Sequence, residues 1–560
     1  MDARRTPMAD VIPLIGQLRH YSGRSARADV MTALSMGVTL LPQGLAFGAL
    51  AGLHPAAGLY TAMGSAIVFA LLTATRFVAV GPSSTMALLA FTAVHDRAGG
   101  DPGRAAALTA ALSVLVGLWC LLGAMLRLQG IAEFLSSPVV LGYLAGVGIQ
   151  MLAGQVGPLL GIPTPHPDPI AKLWYVVTHL QQAQPLTATI GVGALITLVL
   201  LKRFLSGVPA GLVVCLTAIA ISAAAGLADR GMAVVGTVSG GLPTPAGLPQ
   251  VSWDDVSALL MPALGMALIA SIETVSAVRQ TGTKVSGRIV LNRETASLGA
   301  ASIATGALGG FPPTASTART MTARAGAQSQ VFQLITAGIV MFVLLSGGPL
   351  ISLLPMAVLA AIVMAGAPRL IDVTGFLRLW HGWRTESVIT LVTVIGVLAF
   401  GVLQGLIVAV LLSTGQLLRR TARPHDALLA VYGEHQSPRE IAEGISPHPE
   451  ILIYRVDAPL FFANARRIRQ RVLSLVTDAA PRPRCVIMDA EAVFYLDATA
   501  ADTLAELTAD LQALGCALVL ARAHGSVLSA LRTNPYHDGA TQRLRAFADV
   551  REAYVAMRQT

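Results

Sequence analysis

The sequence predicts a polytopic α-helical membrane protein of about fourteen spans in two inverted sets of seven, followed by a small α/β domain. Three observations carry that prediction: the composition, the alternation of basic residues between spans, and a change of pattern near residue 420. Of 560 residues, 54% are hydrophobic and 12% charged, with a mean hydropathy of +0.66. A soluble globular chain carries about 25% charged residues. The formal charge of +9 does not point to nucleic acid, because the basic residues sit at the ends of apolar runs, where the positive-inside rule places them.

A membrane helix needs roughly 17–25 mostly apolar residues. The spans read from the sequence are 28–47, 57–74, 82–96, 104–126, 133–158, 186–202 and 208–227, then 256–278, 292–308, 314–325, 331–347, 351–367, 386–400 and 402–418. Segment 169–182 reads as amphipathic and is expected at the interface. Arg4, Arg5, Arg19, Arg24 and Arg27 precede the first span. Arg76, Arg127, Lys202–Arg203, the group Arg279, Lys284, Arg288 and Arg293, then Arg369, Arg378 and Arg384, and finally Arg419, Arg420 and Arg423 fall on alternate connections. The opposite connections carry few basic residues, and some carry acids, among them Asp101, Asp168, Asp229, Asp254 and Asp255. Both termini are therefore expected in the cytoplasm. Residues 1–27 are polar and Arg-bearing, with no apolar core of a cleavable signal. Cys120, Cys215, Cys485 and Cys516 show no metal-ligand spacing and read as buried small residues. No metal or cofactor is expected.

Two proline-broken stretches stand out. Gly309-Gly310-Phe311-Pro312-Pro313-Thr314-Ala315-Ser316-Thr317-Ala318-Arg319 lies at membrane depth but cannot be continuous helix. Two prolines favour a helix start near Thr314. Val80-Gly81-Pro82-Ser83-Ser84-Thr85 opens the third span in the same manner. Seven spans per half place the halves in inverted topology, where such a pair marks the binding site. Two half-helices would aim their N-termini at one point, with the hydroxyls of Ser83, Ser84, Thr314, Ser316 and Thr317 and the charge of Arg319 beside it. An anion is the natural occupant. Either stretch taken singly also reads as an ordinary re-entrant loop.

Glu273, in the eighth span, is an intramembrane carboxyl and hence a candidate for carrying a coupling proton. The alternative is a protonated structural glutamate. Gln43, in Pro42-Gln43-Gly44-Leu45-Ala46-Phe47, holds the matching place in the first span. Its amide can donate to an anion and Phe47 can wall the site, or both can be core packing. Glu294, beside Arg293, reads as a cytoplasmic-side structural ion pair.

After residue 425, Ile451–Val456, Cys485–Asp489 and Ala517–Ala521 read as buried strands, with amphipathic helices over 464–478 and 499–513. Asp497 is an N-cap candidate. Thr499, at that helix start, is a candidate regulatory phosphorylation point. No nucleophile–base pair, P-loop or metal set appears, so no enzyme is expected.

The run Arg27-Ala28-Asp29, Pro42 to Phe47, Ala51-Gly52-Leu53-His54-Pro55 and Gly58-Leu59-Tyr60 resembles the opening signature of the sulfate permease (SulP) family. Val80-Gly81-Pro82, Glu273, Asn292-x-Glu294, Gly310-Phe311-Pro312 and Ala325-Gly326-Ala327 follow in family order. The tail resembles a STAS domain through Phe461-Phe462-Ala463-Asn464-Ala465 and Asp497-Ala498-Thr499. The resemblance divides the chain into a cytoplasmic segment (1–27), a transport domain (28–420), a linker (421–447) and a STAS domain (448–560). It implies a core domain moving as an elevator against a gate domain, a homodimer, and an anion between half-helices 3 and 10. It places Gln43, Phe47, Ser83, Ser84, Glu273 and Ser316 to Arg319 at the site. Where many relatives have a bulky residue and then Ser before the arginine, Thr317 and Ala318 stand here. Ala277 replaces the Thr of a sodium-coupled relative, which disfavours a hard cation and favours proton coupling through Glu273. Ala498 replaces a Ser beside Thr499.

The expected activity is secondary transport of sulfate, bicarbonate or a C4-dicarboxylate by proton symport in a bacterial inner membrane, in contact with lipid. A cytoplasmic protein partner is expected at the STAS domain. The alternatives are an exchanger or sodium-coupled bicarbonate transporter of the same fold, a nucleobase permease, and a membrane-anchored signalling scaffold.

Overall fold

The computed structural model describes residues 13–18, 21–127, 137–164, 169–205, 208–237, 251–281, 288–431, 439–441, 450–533 and 544–559. They form two compact units that divide between Ser413 and Thr414. Arg4, Arg5, Arg19, Asp168 and Lys284, used in the charge reading, lie outside the described residues.

The membrane unit runs α1 (Pro13–Leu18), α2 (Gly23–Leu50), α3 (Ala56–Leu72), strand β1 (Val80–Gly81), α4 (Ser84–Ala98), α5 (Pro102–Met125), α6 (Ser137–Leu160), α7 (Pro169–Thr178), α8 (Pro185–Phe204) and α9 (Ala210–Ala225). Its second half runs α10 (Trp253–Gln280), α11 (Arg288–Ala307), strand β2 (Thr314–Ala315), α12 (Thr317–Gly326), α13 (Val331–Ser346), α14 (Gly348–Ile351), α15 (Met356–Gly366), α16 (Val373–Gly382), α17 (Arg384–Phe400) and α18 (Val402–Ala422). Setting aside the short α1, α7, α14 and α16, the described helices answer to the predicted spans, seven in each half. Only some of them, such as α2, α5, α6 and α8, are long and apolar enough to cross a bilayer unaided. Shorter ones survive because protein, not lipid, surrounds them: Phe69 of α3 and Met86 of α4 are fully buried.

Helices α2–α5 pack with α10–α13, and α6 and α8 pack with α15 and α17. These are the core and gate groups, and α2 meets the gate against α15 and α9. Within the core, small residues let backbones touch, as expected where no hydrophobic drive separates helix from lipid. A Cβ on Gly117 of α5 would lie 2.5 Å from the Gly299 carbonyl oxygen of α11, and one on Gly299 would lie 2.7 Å from that of Gly117. A Cβ on Gly58 of α3 would overlap the Gly44 carbonyl of α2.

Two expectations need correction. Helix α12 begins at Thr317 and α4 at Ser84, later than the prolines suggest, because the residues after each proline-bearing turn pair as strands or serve as caps. Amphipathic α16 lies in what reads as a plain connection; its apolar face is too short to register as a span.

The second unit is a six-stranded sheet in the order β4–β3–β5–β6–β7–β8. Its strands are β3 (Asp426–Ala430), β4 (Arg439–Ile441), β5 (Ile451–Val456), β6 (Cys485–Asp489), β7 (Ala517–Ala521) and β8 (Arg545–Phe547). Strands β5 to β8 are parallel, with Ile453, Ile487 and Val519 in register, and β3 runs antiparallel to β4 and β5. Helices α19 (Ala465–Thr477) and α20 (Ala498–Ala513) pack together, α21 (Gly525–Thr533) follows, and α22 (Val550–Gln559) covers part of the sheet. Strand β6 is buried along its whole length, as a central parallel strand must be. Strands β3 and β4 fall within 421–447, read from the sequence as linker; β3 is short and half-buried, so its alternation is weak. Burial pushes the thiol of Cys485 up to about 12 and that of Cys516 to about 11, which fits inert core cysteines.

Gly299→Val is expected to cost on the order of 3 kcal/mol or more through backbone overlap. The measurement is the melting temperature in detergent; an unchanged value would show that the α5–α11 crossing is not fixed by contact.

Candidate functional site

The site is built where two non-helical stretches cross. Residues 310–316 lack two N–H groups at Pro312 and Pro313. The Thr61 hydroxyl accepts from Phe311 N at 2.9 Å, and Gly310 N donates to Thr305 O at 2.8 Å. Thr314 and Ala315 then pair antiparallel with Gly81 and Val80, and Ser316 N donates to Ala79 O at 3.0 Å. Strand pairing satisfies backbone that helix cannot, which is why Thr314 is strand rather than helix start. Beyond the crossing, each serine caps the helix it precedes. Ser83 Oγ accepts from Met86 N at 3.2 Å, and Ser316 Oγ accepts from Arg319 N at 3.4 Å. The N–H groups of Ser84, Thr85, Thr317 and Ala318 stand in first turns, with no upstream helical carbonyl to take them.

Both helix starts reach a cavity of about 520 Å³. Of the residues singled out in the sequence, Gln43, Phe47, Ser83, Ser84, Ser316, Ala318 and Arg319 line it. Thr314 and Thr317 do not. Thr314 is fully buried, with its hydroxyl 3.5 Å from Ala270 O. Thr317 is exposed outside the wall. Gate helices supply the far side through Met151 of α6, Leu198 and Lys202 of α8 and Ile362 of α15, with Arg369 just beyond.

The wall's charges are one-signed. Arg319, Lys202 and Arg369 line it, and no carboxylate does among the described residues. Arg319 Nη1 donates to Pro82 O at 3.0 Å, while its buried Nε and Nη2 have no hydrogen-bond partner among the described residues. Gly81 is what lets the strand approach: a Cβ there would lie 3.4 Å from Arg319 Nη2. Lys202 and Arg369 were legible only as span-end basic residues; nothing in their sequence context separates a cavity wall from a helix flank. Thr39 and Thr322, also in the wall, carry no signal at all.

Glu273 stands outside that wall, with the Thr314 hydroxyl and the Arg319 guanidinium as polar neighbours. Tyr143, on gate helix α6, is near enough to feel the same carboxyl's charge, and its buried hydroxyl has no hydrogen-bond partner among the described residues. Ala277, one turn along α10, is fully buried and adds no oxygen. The ion pair expected of Glu294 is not formed among the described residues. Its carboxylate accepts from Thr73 Oγ1 at 2.6 Å, Ala74 N at 2.9 Å and Thr75 N at 3.2 Å, and Arg293 Nε donates instead to Leu72 O at 3.0 Å. A free loop of backbone N–H groups is a closer partner than a side chain that can reach solvent. In the second unit, Asp497 caps α20, its Oδ1 accepting from Ala500 N at 2.8 Å, and Thr499 is exposed in the first turn.

The profile of the sulfate permease family matches residues 27–393, and that of the STAS domain matches residues 445–553. A Mycobacterium tuberculosis protein named Probable sulfate transporter is 34% identical over 523 residues, 93% of either chain. A human protein named Sulfate anion transporter 1 is 27% identical over 607 residues, 92% of this chain and 86% of its own. The structure of the murine Solute Carrier 26 family member A9 anion transporter in the inward-facing state matches with a TM-score of 0.90 at 20% identity, covering 100% of this chain and 96% of that one. The transmembrane domain of a cyanobacterium bicarbonate transporter matches with a TM-score of 0.59 at 22% identity, covering 70% of this chain and 98% of that one. These likenesses bear on fold.

Arg319→Ala is expected to weaken anion binding by roughly tenfold or more, the scale of a lost charge-assisted bond. Calorimetric titration of purified protein with sulfate checks it; wild-type affinity would make the arginine structural.

Proposed function

The chain belongs to the sulfate permease family, and on that premise we propose that it is a secondary active anion transporter, driven by protons. The observation that carries this reading is the meeting of two helix N-termini and Arg319 at a cavity whose wall holds no carboxylate among the described residues. Each helix start contributes an effective charge of about +0.5, and the low-dielectric surroundings strengthen both. Sulfate, bicarbonate and C4-dicarboxylates are the substrate class this arrangement fits, and the names of the relatives favour sulfate within it.

The cavity lies between core and gate helices, which suits an elevator in which the core carries the anion past the gate. Lys202 and Arg369 fall on connections that the charge alternation assigns to the cytoplasm, so the cavity opens inward. Glu273 sits behind the anion site, close enough to Arg319 to sense its pairing. Protonation of Glu273 would remove the negative charge that competes with an anion for Arg319, which links proton and anion binding. Ala277 adds no oxygen ligand for sodium beside Glu273. The natural setting is a bacterial inner membrane with both termini cytoplasmic, the protein acting as a homodimer. The STAS domain then faces a cytoplasmic partner, with Thr499 as its phosphorylation point: a phosphate there would meet the N-terminus of α20.

Uptake of labelled sulfate, bicarbonate, chloride and fumarate into liposomes holding the purified protein tests the proposal. Flux of at least one anion, stimulated by an inward proton gradient, is expected; no flux under any gradient would sink it. Glu273→Gln should abolish stimulation by acid outside the vesicle while anion binding stays measurable. An unchanged pH response would remove Glu273 from the coupling path.

A further inference from the structure

Strand β1 ends a partly buried, irregular stretch, residues 73–81, whose backbone is served largely by side chains of other helices. Glu294 of α11 takes the N–H groups of Ala74 and Thr75. Thr320 Oγ1 of α12 accepts from Ala79 N at 3.1 Å. Gln330, just before α13, donates through Nε2 to the carbonyls of Thr75 and Val78 at 3.1 and 3.0 Å. Gln333 of α13 bridges the next peptide: its Oε1 accepts from Val80 N at 3.2 Å, and its Nε2 donates to Val78 O at 3.1 Å and Gln330 Oε1 at 2.8 Å. Thr320 and Gln330 are fully buried and Gln333 is 3% exposed, and none of the three lines the cavity.

We propose that Gln333, with Thr320 and Gln330, is a positioning residue of the anion site, acting through the register of β1 on β2. The inference rests on the anion-site reading above. Register matters here because the strand is only two residues long, so its own ladder cannot resist a slip. A shift of one residue would turn the other face of the strand to Arg319. Gly81 now faces the guanidinium, where a Cβ would already lie 3.4 Å from Nη2. Val80 or Pro82 in that place would push Arg319 from Pro82 O and move the Ser83 cap. The amide of Gln333 reads two consecutive peptide groups with one acceptor and one donor, which no slipped register satisfies. An apolar residue in its place would leave Val80 N and Val78 O without these partners in a site that water does not reach.

Sulfate uptake in liposomes, resolved into KM and Vmax, is measured for wild type, Gln333→Leu, Thr320→Val and Thr336→Val. Thr336 is the control: it is buried in the same helix as Gln333, and its hydroxyl goes to Phe332 O at 2.7 Å. Gln333→Leu and Thr320→Val are expected to raise KM about tenfold, the scale of one buried bond left unmet, with Vmax little changed. Thr336→Val is expected to keep the wild-type KM. If Gln333→Leu does not fold, the near-isosteric Thr320→Val carries the same test. Wild-type KM in each variant that folds would overturn the inference, also where melting temperatures fall together. Absence of sulfate flux in the wild type would be a different failure, that of the anion-site reading itself.

Discussion

A peptide group without a partner inside a bilayer costs several kcal/mol, and the pairing of Val80–Gly81 with Thr314–Ala315 is how this chain escapes that cost. Prolines at 82, 312 and 313 prevent helix on the near side of each half-helix. The two interrupted stretches therefore satisfy each other. Because the pairing is antiparallel, α4 and α12 leave the crossing in opposite senses with both N-termini kept at its centre. The proposed anion site is a consequence of where two broken stretches had to meet.

Side chains finish what four strand residues begin. Thr61 holds one stretch at Phe311; Glu294, Thr320, Gln330 and Gln333 hold the other. These groups sit in the core bundle, whose helices touch through glycine at positions such as Gly117 and Gly299. Close backbone contact of this kind leaves the core helices little room to shift against one another. The gate group meets it chiefly along α2, so a cavity can form between two bodies without disturbing the crossing inside one of them.

Much of this was legible early. Span positions, the inverted halves and the matched Gly-Pro and Pro-Pro stretches follow from hydropathy, charge alternation and proline chemistry, which are local properties. Gln43, Phe47, Ser83, Ser84, Ser316, Ala318 and Arg319 reach the cavity as expected. Thr314 and Thr317 do not, because a two-residue strand moved the helix start by three positions and turned Thr314 inward. Glu294 found backbone rather than arginine because a loop from another span came to lie against it. Neither event has a local cause. Strands β5, β6 and β7 were placed where they lie, since each is a mostly apolar, mostly buried run, whereas half-buried β3 was taken for linker and short β8 was not read as a strand.

The sequence alone determined that this is a membrane protein with two proline-broken spans, one intramembrane carboxyl and an α/β tail, because composition, period and proline geometry act over a few residues at a time. Only the tertiary structure decided that the two broken spans cross as paired strands, and that Lys202 and Arg369 join Arg319 around one cavity. It also decided that Glu273 stands behind that cavity rather than in it, with Gln330 and Gln333 clamping the crossing. The physical reason is range: each of those arrangements is made by groups far apart in the chain, whose meeting is set by packing and by the need to pair every buried backbone group.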